Sequence, residues 1–412
     1  MKFNRNIYLF YLLTILNGIV PFLVISFISR MFSTEDFGVY LLSFTIMNVW
    51  GMIVDFGFSI SGVRALKNQR WPSDTYITAT FIIKTVIFAI TLIIYLIIIS
   101  IYNQNNITIM LLISLGVYFT GIDCLWILQS YDKLYKIIKK NIAINIVYIV
   151  VIISSTYYIR DVTISILVFI LYRISIFLLS YLEVRKLFDT KIKLVTLEDS
   201  IAILKNTVGI AIFRIFAFSY TSSNGILLNA LTNKSQVALY LALEKINKMM
   251  LFIATPLSHA LLPYFSERKN NKGLVYYIIT LVILSIVAVT ISNILSPTII
   301  FLFIGEKYTS NTELFFYMTI SVPFILTSNA IGMLYIIPRK LDNILNIIII
   351  FVAISNFSLS LLFVSSSTAG AIEMARIVAL SEFMVMIFTI ITALIHSRLK
   401  NNRLEKQDRI KG

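Results

Sequence analysis

Apolar stretches long enough to cross a bilayer follow one another from one end of this chain to the other. They fall at roughly 7–29, 38–61, 76–101, 107–131, 141–159, 163–184, 206–231, 236–265, 274–296, 312–337, 344–364 and 370–396. About 20 such residues cover the ~30 Å of bilayer hydrocarbon. In that medium each backbone N–H and C=O must be satisfied within its own segment, so the fold class is all-α: a polytopic bundle of about twelve transmembrane helices. Composition agrees, because 58% hydrophobic and 13% charged residues leave too little polar surface for a soluble chain of 412 residues. The opening MKFNRN and its apolar run mimic a signal peptide. The run is too long, however, and lacks a small-residue cleavage pattern, so it reads as a retained first helix. At 297–311, Pro297 interrupts an apolar stretch before GEKYTSN, which marks either a helix end or a short interfacial turn.

Charge in the connections sets an expected direction. With the N-terminus inside, 25 of the 35 Lys and Arg fall in cytoplasmic segments, against four outside: Arg30, Arg160, Lys234 and Lys307. Cationic loops resist translocation, so both termini are expected in the cytoplasm. The net charge of +15 then reflects topology and contact with anionic membrane lipids, not nucleic-acid binding. The connections leave no room for a folded catalytic or nucleotide-binding domain, and no GxxxxGK[ST] phosphate loop occurs. One cysteine, Cys124, and two separated histidines, His259 and His396, provide neither a disulfide framework nor a metal-ligand cluster. No catalytic residue, metal or cofactor is therefore expected, and whatever the chain does happens among its helices.

Six cations remain inside the spans: Lys84, Arg173, Arg214, Lys245, Lys248 and Arg376. The carboxylates at similar depth are Asp55, Asp123, Glu244, Glu373 and Glu382. Each costs at least ~2.5–3.5 kcal/mol at a helix centre and so must face a partner or a wet cavity. Spacing suggests two pairs within helices, Glu244 with Lys248 and Glu373 with Arg376, and a cluster of Asp55, Asp123 and Lys84 near one membrane face. Arg173 and Arg214 have no acid within two turns, and Lys245 adjoins Glu244 at a spacing where side chains do not face each other. At 100° per residue, Tyr240, Glu244, Asn247, Lys248, Thr255, Ser258 and His259 share one face of the eighth span. Thr207, Arg214, Thr221 and Gly225 share a face of the seventh in the same way. Two such stripes point to helices lining a water-accessible cavity with a cationic bias.

At a shift of 200 residues, GVYLLSFTIMN (38–48) lies over ALYLALEKINK (238–248), matching Tyr40 with Tyr240, Leu41 with Leu241 and Ile46 with Ile246. Each segment opens the second span of a six-span half. The expected organisation is thus a six-helix lobe over 1–199, a second over 200–397, and a basic cytoplasmic tail at 398–412, the lobes being parallel repeats with a site between them. SRMFSTEDFGVYLLSF (29–44), DFGFSISGVRALKN (55–68), LWILQSYDKLYK (125–136) and VALYLALEKI (237–246) resemble the polysaccharide biosynthesis transporters of bacteria. These are the Wzx-type O-antigen flippases of the multidrug/oligosaccharidyl-lipid/polysaccharide exporter superfamily. The resemblance implies a carrier in the bacterial cytoplasmic (inner) membrane that moves an undecaprenyl-diphosphate-linked oligosaccharide by alternating access. It also implies polymerase and chain-length proteins of the same pathway as partners.

Arg and Lys in a confined cavity suit a diphosphate. The candidate substrate-binding residues are Arg214, Lys245, Arg173, Lys84 and Lys248. Glu244, Glu382, Asp55, Asp123 and Arg376 are candidates for gating or ion coupling. An ion-coupled drug exporter of the same superfamily is the nearest rival, but the first span carries no carboxylate for coupling and the surplus cations suit an anionic cargo better. A lipid II flippase usually has two further spans. A polymerase or lipid-linked glycosyltransferase needs larger loops, and a scaffold leaves the polar stripes unexplained.

Overall fold

The computed structural model describes residues 5–69, 71–102, 107–187, 195–268, 271–339, 341–364 and 370–411. Among them there are helices and no strand, as expected. In the first unit these are α1 (Arg5–Met31), α2 (Thr34–Asp55), α3 (Phe58–Lys67), α4 (Ser73–Tyr102), α5 (Ile107–Gly121), α6 (Leu125–Ser130), α7 (Ile138–Ile159), α8 (Val162–Leu187) and α9 (Leu197–Thr221). The helix α10 (Asn224–Leu231) crosses the division between the units. The second unit holds α11 (Lys234–Arg268), α12 (Asn271–Ile294), α13 (Ser296–Ile304), α14 (Thr312–Thr319), α15 (Ser321–Ile331), α16 (Asp342–Phe363) and α17 (Gly370–Lys411). Each expected span falls on one of these helices or on a broken pair of them. Ten helices among the described residues are long and apolar enough to cross a membrane, and Gly18–Met31 adds a shorter apolar stretch.

Local chemistry explains several boundaries. The Ser33 hydroxyl accepts from Asp36 N–H at 3.1 Å and donates to the Asp36 carboxylate at 2.7 Å, so the STED segment caps α2. Thr196 does the same for α9, accepting from Asp199 N–H at 3.1 Å. The 297–311 stretch is a short helix opened by Pro297 at its first turn, followed by a tight 3-10 turn at Glu306–Tyr308. At its other end α17 runs on as helix to Lys411, through most of the expected basic tail.

The chain separates into its two compact units between Ile226 and Leu227, not near residue 199. The reason is α9, which packs on α2, α3 and α4 and so belongs with the first unit. That unit is organised around Phe58, Tyr76, Trp126 and Ile127, all buried. In the second, α15 packs against α11, α12 and α17, with Val322, Leu326 and Ala330 at the α12 interface. The repeated positions are buried alike: Tyr40 and Tyr240 are each 2% exposed, and Leu41 and Leu241 fully buried. Along α4, by contrast, Ile82, Val86, Ile90, Ile93 and Ile97 are all exposed, an apolar stripe suited to lipid.

Candidate functional site

Two spans of the first unit are interrupted at matching places. After α2 ends at Asp55, Phe56 (φ 50°) and Gly57 (φ 80°) both take the left-handed conformation before α3 begins. Glycine at 57 answers a second demand as well, because a Cβ there would lie 3.0 Å from Ile210 Cγ2 and 3.3 Å from Ala211 N. The close approach of α9 to the break brings Arg214, one turn beyond Ala211, beside Asp55. The other interruption lies between α5 and α6, with Ile122, Asp123 and Cys124 out of the helix. Glycines hold the two broken spans together. A Cβ on Gly121 would overlap Val54 and sit 3.0 Å from the Gly51 carbonyl, and one on Gly62 would collide with the Trp126 ring.

Both carboxylates cap the helix that follows. Asp55 Oδ2 accepts from the Ser59 hydroxyl at 2.8 Å and, at 3.4 Å, from Ser59 N–H in the first turn of α3. Asp123 Oδ1 accepts from Leu125 N–H at 3.0 Å. A carboxylate at the C-terminal end of α2 opposes the helix dipole, and two cations offset it. Lys84 of α4 donates to Asp55 Oδ1 at 2.8 Å and to the Gly121 carbonyl at 3.0 Å, joining the two interruptions through one ammonium. Its Nζ also lies 5.9 Å from the centre of the Trp126 ring. Arg214 of α9 donates through Nη1 to Asp55 Oδ2 at 2.6 Å and to Ser59 Oγ at 2.7 Å.

These two cations differ in access. The Lys84 side chain is 1% exposed, whereas that of Arg214 is 23% exposed. Arg214 lines a cavity of about 650 Å³ whose walls also carry Asp55, Asp123, Arg64, Asn48, Ser59, Thr120, Gln129, Trp126 and Phe218. All belong to the first unit. Arg173 of α8 stands behind Asn48, donating to its Oδ1 at 2.9 Å with the guanidinium 5.2 Å from the Phe169 ring centre. The wall is amphoteric, with two guanidiniums and two carboxylates, where the sequence reading expected a cationic bias. Lys84 is placed away from the open space, so the geometry does not support the expected direct contact with substrate. Arg64, expected in a cytoplasmic connection, lies on the cavity wall because α3 continues past it to Lys67.

In the second unit part of the stripe on α11 is packed against protein. Tyr240, Glu244 and Asn247 are each less than 9% exposed, and Asn247 donates to Ser321 Oγ at 3.2 Å. Thr255, Ser258 and His259 lie outside the described side chains. Lys248 pairs with Glu244 at 2.9 Å, as the spacing predicted. Lys245 reaches the same carboxylate at 3.8 Å despite adjoining it, since a four-carbon stem can fold back along the helix. Neither lysine lines the cavity around Arg214. Arg376 pairs with Glu313 of α14 at 2.8 Å and covers the Tyr317 ring at 4.6 Å, in place of the expected pairing with Glu373. Glu382 of α17 is 5% exposed and has no ion pair among the described residues. A second cavity of about 930 Å³, almost wholly apolar, lies among α12, α14, α15 and α17. Sequence reasoning also missed Glu183, held by Lys140 at 2.8 Å and Lys186 at 3.1 Å.

A bundle of apolar helices, with charges gathered at interrupted spans beside an internal polar cavity, defines a multi-pass membrane protein. The chain belongs to the polysaccharide biosynthesis protein family, whose model matches residues 3–269. It is similar in fold to the lipid II flippase MurJ in an inward closed conformation, with 17% identity, coverage of 93% of this chain and 87% of that one, and a TM-score of 0.76. An inward-facing multidrug resistance MATE family transporter of the MOP superfamily matches at 15% identity over 94% and 96% of the two chains, with a TM-score of 0.66. An outward-facing structure of such a transporter gives 15% identity, coverage of 98% and 96%, and a TM-score of 0.57. Among curated protein sequences none matches. The fold is thus that of MOP-superfamily transporters, as the resemblance of the motifs implied.

Proposed function

We propose that this protein is a flippase that carries an undecaprenyl-diphosphate-linked oligosaccharide across the bacterial cytoplasmic membrane by alternating access. The supporting observation is Arg214, a guanidinium on the wall of a 650 Å³ cavity, paired with Asp55 and with part of its side chain open. Its forked donors suit phosphate oxygens better than an ammonium does. Asn48, Thr120 and Gln129 on the same wall offer hydrogen bonds to sugar hydroxyls, and Trp126 an apolar face. With both termini in the cytoplasm, Arg64 and Gln129 lie toward the cytoplasmic ends of their spans, where a lipid-linked precursor would enter. Polymerase and chain-length proteins of the same pathway are the proposed partners. Alternating access, as in transporters built from repeats, would open the site to each side of the membrane in turn.

The test is surface polysaccharide in cells carrying Arg214→Ala or Arg214→Lys, with membrane levels of the protein measured alongside. Alanine is expected to abolish the polysaccharide and lysine to restore it in part; a wild-type amount with alanine removes Arg214 from the mechanism. One observation favours a second reading, an ion-coupled exporter of small molecules: Asp55 and Asp123 both face the cavity, where a cationic cargo would find them. Extrusion of a cationic dye that depends on Asp123, with polysaccharide unaffected by Arg214→Ala, would select that reading instead.

A further inference from the structure

We propose that Lys84 is a positioning residue that keeps Arg214 exchangeable between Asp55 and an anionic head group. This rests on the reading that Arg214 contacts the diphosphate. Asp55 is held from two sides, and the sides are not equivalent. Oδ1 accepts from Lys84, which is 1% exposed and fixed at its other donor by the Gly121 carbonyl. Oδ2 accepts from Ser59 Oγ at 2.8 Å as well as from Arg214. When Arg214 turns toward a ligand, both carboxylate oxygens keep a donor and the buried negative charge keeps a counter-ion. Arg214 is therefore released at little cost.

Without Lys84 the balance reverses. Oδ1 loses its ammonium, and Arg214 becomes the counter-ion of a carboxylate that is 12% exposed. Releasing it then strands a buried charge, which is strongly unfavourable. A lysine that never touches the ligand thus sets how readily the arginine can. The same geometry explains why the chain spends a buried ammonium where a neutral donor could have bonded the Gly121 carbonyl: only a full charge frees the guanidinium.

The test uses the full chain purified in detergent and its affinity for farnesyl diphosphate, with farnesol as the uncharged control. Lys84→Met is expected to bind about tenfold more weakly than wild type, and the double variant Asp55→Asn with Lys84→Met to recover to within roughly threefold, because a neutral amide no longer retains Arg214. A residue acting only as scaffold would leave the double variant no better than the single one. Arg214→Ala separates the two layers of the argument. If that variant binds like wild type, the functional reading itself fails. If it loses binding while Lys84→Met keeps it, or the double variant shows no recovery, the role of Lys84 is refuted and the reading survives. Should Lys84→Met alone not fold, the charge-balanced double variant decides: binding much weaker than wild type overturns the proposal.

Discussion

Replacing Asp55 with alanine removes the carboxylate shared by Lys84 and Arg214, and the consequences differ for the two. Arg214 is 23% exposed and can turn into the cavity, where water solvates it. Lys84 is 1% exposed and keeps a single acceptor, the Gly121 carbonyl. An uncompensated ammonium at such a site costs about 3–5 kcal/mol. Lys84→Met leaves Asp55 with Arg214 and loses the bond to the Gly121 carbonyl, a cost of ~1–3 kcal/mol. Arg214→Ala leaves the buried pair intact and removes a partly exposed one, worth about 1 kcal/mol or less. The expected order of destabilisation is therefore Asp55→Ala, then Lys84→Met, then Arg214→Ala, while Arg214→Ala does the greatest harm to transport. Cys124, the one cysteine of the chain and fully buried, provides the assay. The temperature at which a thiol-reactive dye gains access to it reports unfolding in detergent. If Asp55→Ala melts no lower than Arg214→Ala, the distinction between a structural and an available cation is wrong.

Gly121→Ala is expected to destabilise by ~1–3 kcal/mol, because the new methyl meets Val54 and the Gly51 carbonyl at 3.0 Å, and a backbone oxygen cannot step aside. Adding Val54→Ala should recover only part of that loss in the same dye assay. Glu382→Gln is expected to leave the melting temperature unchanged or raise it, by the equivalent of up to ~2.5 kcal/mol, since it removes a charge that is 5% exposed. A clear fall would reveal a counter-charge for Glu382.

The all-α class and the order of the apolar segments were legible because the apolar period and the bilayer thickness constrain them together. The breaks that divide several spans into two helices were not. Also legible was the association of Asp55 with Lys84, two charges at similar depth on spans near in sequence. The partner of Arg214 was not legible: it is 159 residues away, and helical periodicity tells which face a residue is on but not which helix lies opposite. The same gap misled the reading of Arg376, whose guanidinium reaches outward to Glu313 and not along its own helix. On α11 the spacing placed Tyr240, Glu244 and Asn247 on one face, and these three are buried against protein. A stripe such as Tyr240, Glu244 and Asn247 has one period whether it meets water or the hydroxyl of Ser321. Of the two helix interruptions, the first had a local signal in DFGF, an acid before a glycine within an apolar run, while Ile122–Cys124 itself carries no glycine or proline.

The placement of α9 bears on how this protein can be recombined with its relatives. A chimera joined at the long polar connection before Thr196 would look natural on a hydropathy plot, yet it would import a foreign seventh span and separate Arg214 from the carboxylate it evolved beside. Crossovers placed after Ser222, where α9 has ended, would carry arginine, aspartate and lysine as one inheritance. Exchange of cargo preference between relatives should follow that junction.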